Sequence, residues 1–129
     1  MNKIVLDASA LLAVLNPEPG ADRLTPELLS TATSSTVNLA EVQGKLVNLG
    51  LAPGDAWEAT LSPMREATAF TAEHAEAAGH LITKTRRLGL SLGARACLAL
   101  RIALRAPVYT ADRSWKKLKL GRPVATLLY

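Results

Sequence analysis

Short apolar runs alternate along the chain with longer stretches in which apolar residues recur at helical spacing. The runs lie at residues 3–6, 30–36, 67–70, 107–110 and 124–128. Continuous apolar runs of this length suit strands buried on both faces of a parallel sheet. Between them, residues 8–15 form an Ala/Leu-rich helix ended by Asn16-Pro17, and residues 38–49 set Leu39, Val42, Leu46 and Leu49 on one face before Gly50. Pro53-Gly54-Asp55 opens a helix running to Leu61, and residues 71–88 carry Ala75, Ala78, Leu81, Ile82 and Thr85 up to Gly89. Residues 92–104 are apolar on nearly every side, which predicts a central buried helix, and residues 113–118 predict a last one. Strands alternating with helices imply βαβ units. The expected fold class is α/β, a single-domain α/β/α sandwich with a central, mainly parallel sheet over residues 1–129. Ligands of such sheets bind beyond the carboxyl ends of the strands.

Composition narrows the picture without redirecting it. A chain of 129 residues and 13.7 kDa, 49% apolar and 20% charged, suits one globular core. Aromatic residues make up only 4%, so Leu, Ala, Val and Ile must fill that core. The single cysteine, Cys97, excludes a disulfide framework and a cysteine-based zinc site, and reads as a small core residue. The apolar run at 8–15 is far shorter than the ~20 residues a membrane span needs. Asp7 inside the first apolar region, with Asn16-Pro17-Glu18 after it, does not fit a secretory signal. The expected location is the cytoplasm, with no membrane association. Charge is unevenly spread: residues 1–64 hold 3 basic and 7 acidic side chains, residues 65–129 hold 12 and 4. An Arg-rich half facing a carboxylate-rich half suits a phosphate-bearing polymer, and suits an ordinary solvated surface equally well.

Three carboxylates stand where the pattern places strand ends. Asp7 follows Ile4-Val5-Leu6, Asp112 follows Val108-Tyr109-Thr110, and Glu41 lies one turn into the helix after the second strand. Converging on one sheet edge, they would form a hard, oxygen-only site suited to Mg²⁺ or Mn²⁺. Each also has a local reading. Asp7 and Asp112 suit helix N-caps, and Asn38 with Glu41 fits a capping box. Capping explains each residue separately and not their shared edge. Ser91 is a natural N-cap for the buried helix, yet position 94, where a capping box and the helix dipole favour an acid, holds Ala.

Ile4-Val5-Leu6-Asp7-Ala8-Ser9-Ala10, Asn38-Leu39-Ala40-Glu41-Val42, the segment Leu90 to Leu100 and Thr110-Ala111-Asp112-Arg113 together resemble the PIN-domain family, and within it the VapC-type toxins of bacterial and archaeal toxin–antitoxin pairs. The resemblance spans nearly the whole chain. It implies an α/β/α fold and a Mg²⁺-dependent endoribonuclease (Mn²⁺ being the alternative ion) that leaves a 5′-phosphate and a 3′-hydroxyl. Asp7, Glu41 and Asp112 match three acidic catalytic, metal-ligating positions. Thr110 matches a supporting hydroxyl, with Ser9 and Asn38 in local hydrogen-bonding roles. Arg95 and Arg113 are candidate RNA contacts. The family usually reads Leu-Gly-Asp-Arg where this chain reads Leu92-Gly93-Ala94-Arg95, so one metal ligand is missing and activity should be abolished or strongly reduced. Implied partners are an RNA substrate (tRNA or another structured RNA), a VapB-type antitoxin and a second copy of the chain. An apolar groove around Leu12, Leu28, Leu46 and Trp57 is a candidate for the protein partner.

Other chemistries fit less well. His74 and His80, six apart on one helix, do not share a face as metal ligands would. Trp57 and Trp115 could stack bases, though partial burial suits them better. An aspartyl-phosphate enzyme would need Asp-x-Asp or an acidic pair after the first strand, where this chain has Asp7-Ala8-Ser9. A PIN module that binds RNA or antitoxin without cutting is the alternative that Ala94 keeps open.

Overall fold

The computed structural model describes residues 3–118 and 125–127. The chain runs β1 (Ile4–Leu6), α1 (Ala8–Leu15), a 3-10 turn (Ala21–Arg23), α2 (Pro26–Leu29), β2 (Ala32–Ser35), α3 (Thr36–Asn48), α4 (Pro53–Leu61), β3 (Glu66–Thr68), α5 (Ala72–His80), α6 (Ile82–Thr85), a 3-10 turn (Arg86–Leu88), α7 (Leu92–Leu104), β4 (Val108–Thr110), a 3-10 turn (Arg113–Lys117) and β5 (Ala125–Leu127). The five strands are all parallel in the order β3-β2-β1-β4-β5. The chain therefore builds outward from β1 in one direction, returns, and builds outward in the other, so the order reverses between β1 and β4. In an open α/β sheet that reversal opens a crevice at the carboxyl edge.

Alternation along β1 divides the core. Ile4 and Leu6 face Leu11, Leu39, Val42 and Ala56, contributed by α1, α3 and α4. Val5 faces the opposite way, toward Cys97, Leu98, Leu100, Val108 and Trp115. Helices thus cover both faces, as the expected sandwich requires. Leu6, Leu11, Leu39, Leu98 and Leu100 are all fully buried, each stabilising the fold by roughly 1.5–3 kcal/mol.

Several boundaries differ from the sequence-based expectation. The second run is a strand only over Ala32–Ser35, and Ser35, accepting from the Val37 amide at 3.3 Å, caps a helix that starts at Thr36. Asn38 therefore sits inside α3 and is not its cap. β3 covers Glu66–Thr68 at the sheet edge with Glu66 and Ala67 exposed, so this strand is not buried on both faces. The helix expected over 71–88 breaks at Leu81, where the Thr85 hydroxyl donates back to the Leu81 carbonyl at 2.8 Å. α7 buries Gly93 and Ala96 to Leu100 but leaves Leu92 52% and Ile102 54% exposed, so one face meets solvent. α2 was not legible as a helix; Thr25 caps it and Pro26 occupies its first position. Residues 124 and 128 of the last expected strand lie outside the described residues.

Candidate active site

Asp7 leaves β1 buried, 5% exposed, and caps α1. Its Oδ1 accepts from the Ala10 amide at 2.8 Å and the Ser9 hydroxyl at 2.7 Å. Its Oδ2 accepts from the Thr110 hydroxyl at 2.5 Å. Both hydroxyls are fixed in turn, since Ser9 Oγ accepts from the Ala111 amide at 2.9 Å and Thr110 Oγ1 from the Asp112 amide at 3.0 Å. The ends of β1 and β4 are thereby laced together through one carboxylate. Burial pushes the Asp7 carboxyl above its usual range, the Thr110, Ala10 and Ser9 hydrogen bonds oppose that, and the nearby charge of Asp112 adds to it.

Asp112 is exposed and caps the Arg113–Lys117 turn, accepting from the Ser114 amide at 2.9 Å and the Ser114 hydroxyl at 2.7 Å. The capping reading thus holds for Asp7 and Asp112 alongside their shared edge. It fails for Asn38 and Glu41. Asn38, 1% exposed, donates from Nδ2 to Glu41 Oε1 at 3.1 Å and to the Gly93 carbonyl at 3.0 Å, joining α3 to α7. Because both neighbours are acceptors, the amide orientation is settled, and Asn38 Oδ1 is left buried without a partner. Glu41 itself is exposed, and its carboxylate lies directly over Gly93, where any Cβ would overlap it.

A cavity of about 220 Å³ joins these groups: Asp7, Ser9, Asn38, Glu41, Ala94 and Asp112 line it, with Lys45, Ser91 and Trp115 completing the wall. It lies at the carboxyl edge by the reversal of strand order. Ala94 occupies the wall at the first turn of α7, its amide donating to the capping Ser91 hydroxyl at 3.1 Å. Thr110 stands behind Asp7 rather than in the lining. Arg95 points elsewhere, donating to the Ala78 carbonyl at 3.0 Å and so tying α7 to α5, while Arg113 is exposed beside Asp112. His74 is half-buried edge-on to Phe70 with ring centroids 6.5 Å apart, His80 is exposed, and neither lines the cavity. Cys97 is fully buried in the core.

Two residues at the site, Lys45 in the cavity wall and Gly93 beneath Glu41, escaped the sequence reading. Lys45 stands four residues after Glu41 on one helix, a spacing that places both on one face and could have found it. Gly93 reads as a mid-pattern glycine until α3 is seen against it. The donor set is oxygen-only, with a buried carboxylate raised by burial and an unpartnered amide oxygen, which fits a hard divalent cation in kind. Among the described residues, however, no group of three or more His, Cys, Asp or Glu side chains is gathered closely enough to hold one.

A buried carboxylate at the strand-order reversal of a parallel sheet, faced by two further acids, defines a class of α/β domains with an acidic edge site. The PIN domain family model matches residues 4–120, and the chain belongs to the PIN domain family. No curated relative matches at the level of sequence. The fold is similar to a toxin–antitoxin complex from Klebsiella pneumoniae, with TM-score 0.74 and 16% identity over 98% of each chain. It is similar to DNA-bound VapBC from Salmonella typhimurium, with TM-score 0.75 and 18% identity over the whole of both chains. It is also similar to VapBC2 from Rickettsia felis bound to a promoter DNA fragment, with TM-score 0.70 and 22% identity over 89% of this chain and 92% of that one. Among the described residues, no helix is long and apolar enough to cross a membrane.

Proposed function

We propose that this PIN domain is the toxin of a type II toxin–antitoxin pair, built as a metal-dependent endoribonuclease and weakened or silenced by Ala94. The observation that carries the reading is that Asp7, Glu41 and Asp112 line one cavity at the carboxyl edge while Ala94 stands in the same wall. Asp7, Glu41 and Asp112 would hold Mg²⁺ or Mn²⁺, which when bound acidifies water and offsets charge at a phosphodiester. The chain's own residues supply the rest. Ser9, Thr110 and the Ala10 amide hold the Asp7 carboxylate in one orientation, and Asn38 holds Glu41 against Gly93. Lys45 adds a cation to a wall otherwise dominated by acids. Arg113, exposed beside Asp112, is the candidate RNA contact.

The protein partners follow the same reading: a VapB-type antitoxin and a second copy of the chain, acting in the cytoplasm. Of the expected groove residues, Leu46 is buried in the core of the α1, α3 and α4 face, and Leu12 and Leu28 are partly buried against it. Leu49 and Leu51, at the α3–α4 turn, and Trp57, in α4, are exposed and offer apolar surface to a partner on that side. A second reading, a PIN module that binds RNA or antitoxin without cutting, is favoured by the lack of a ready three-ligand group among the described residues. Expression in a bacterial host separates the two. Ala94→Asp should arrest growth while the chain itself does not; growth unaffected by both forms favours the binding module.

A further inference from the structure

From residue 77 to the end, the chain carries eleven basic side chains and a single acid, Asp112. Part of that charge is collected in one place. Lys84, Arg86 and Arg87, from α6 and the following 3-10 turn, face Lys117 across a cavity of about 710 Å³. All four are exposed, and among the described residues no acid lines the cavity and none of the four makes an ion pair. Unpaired like charges held together raise each other's cost unless a polyanion neutralises them. The cleft and the acidic cavity have no lining residue in common, but their linings lie close along the chain. Leu88 lines the one and Ser91, three residues on, lines the other; Lys117 lines the one and Trp115, on the same turn, lines the other. We infer that this basic cleft, lined by residues 83–88, Lys117 and Leu118, is a binding site for the phosphodiester backbone of RNA. The inference rests on the ribonuclease reading for the choice of RNA, and on the cleft alone for the phosphate chemistry.

Backbone contacts of this kind are blind to base and steep in salt. The test measures binding of a short single-stranded 2′-O-methyl RNA, which cannot be cut, to the full chain across a salt series. The cleft pair Arg86→Gln/Arg87→Gln is compared with a charge-matched pair at the opposite, amino edge of the sheet, Arg65→Gln/Arg105→Gln. The cleft pair should shrink the slope of log Kobs against log salt by about 1.4, from about 0.7 per lost single-strand phosphate contact, and the control pair should leave it unchanged. In the Ala94→Asp background, the cleft pair should raise KM for RNA with kcat unaltered. Equal losses in both pairs, or no loss in either, overturn the cleft. A loss seen only with polyaspartate or only with duplex DNA also overturns it, assigning the surface to an acidic protein segment or to DNA. If Ala94→Asp does not cut RNA but the cleft pair still loses RNA binding, the nuclease reading falls and the cleft stands. If Ala94→Asp cuts with a KM indifferent to the cleft, the reverse holds.

Discussion

Thr110 shows how much of the site is carried by one hydroxyl. It donates to buried Asp7 at 2.5 Å and accepts from the Asp112 amide at 3.0 Å, so it sets both acids that flank the β1–β4 crevice. Thr110→Val keeps the shape and removes both bonds, leaving a buried carboxylate short of a donor. It should destabilise the fold by about 1–3 kcal/mol in urea unfolding, and Thr110→Ser should recover most of the loss. Asp7 itself gives the metal-free protein a pH dependence. Its folded pKa is raised, so the folded state binds the proton more tightly than the unfolded chain. Asp7 therefore contributes stability that is full below the unfolded value of 3.8 and lost as pH rises through the folded one. Urea midpoints in EDTA should show this fall on going from acid toward neutral pH, and Asp7→Asn should remove that component. An unchanged slope in Asp7→Asn would assign the dependence to other groups.

The contact between α3 and α7 fixes Glu41. Asn38 bridges Glu41 and the Gly93 carbonyl, and Gly93 is the surface on which the Glu41 carboxylate rests. Gly93→Ala places a methyl in the carboxylate's position. The obstructing group is the end of an exposed, flexible side chain, and Ala suits a helix better by roughly 1 kcal/mol, so stability should change little. In the Ala94→Asp background, which restores the proposed ligand set, Mn²⁺ affinity should instead fall tenfold or more, because Glu41 is turned away; a fall of about that size is what loss of a positioning partner brings. Calorimetric Mn²⁺ titration beside thermal unfolding checks both halves, and unchanged affinity would remove Glu41 from the ligand set. At this scale the capping rules read the sequence well for Asp7, Asp112 and Ser91, because a cap is decided within four residues. They misplaced Asn38, because Ser35 was available to cap α3 three residues earlier and the Asn38 amide was drawn to α7, 55 residues away.

Over the whole molecule, the parallel sandwich was legible because short apolar runs and helical periods are local properties that repeat. Strand order was not, since it depends on which faces pack. β3 shows the limit: Ala67 and Phe70 read as a buried run, yet the strand lies at the sheet edge with Glu66 ion-paired to Lys3. Asp7, Glu41 and Asp112 were visible as strand-end acids. Lys45, the Gly93 platform and the basic cleft required the topology that brings α3 to α7 and residues 83–88 beside Lys117. We propose that position 94 is the missing ligand position in the wall lined by Asp7, Glu41 and Asp112. The most direct test is cleavage of total RNA in Mg²⁺ by the chain and by Ala94→Asp, purified side by side, with EDTA and Ala94→Asp/Asp7→Asn as controls. A carboxylate at the first turn of α7 enters the wall shared by Asp7, Glu41 and Asp112, whereas Arg95 is engaged with Ala78 and Ser91 is neutral. Since misplacement by about 1 Å can cost about 10²-fold in rate, restoring the ligand should raise cleavage by at least that factor. EDTA or Asp7→Asn should abolish the gain. Equal cleavage by the chain and Ala94→Asp would contradict the account and remove position 94 from the site.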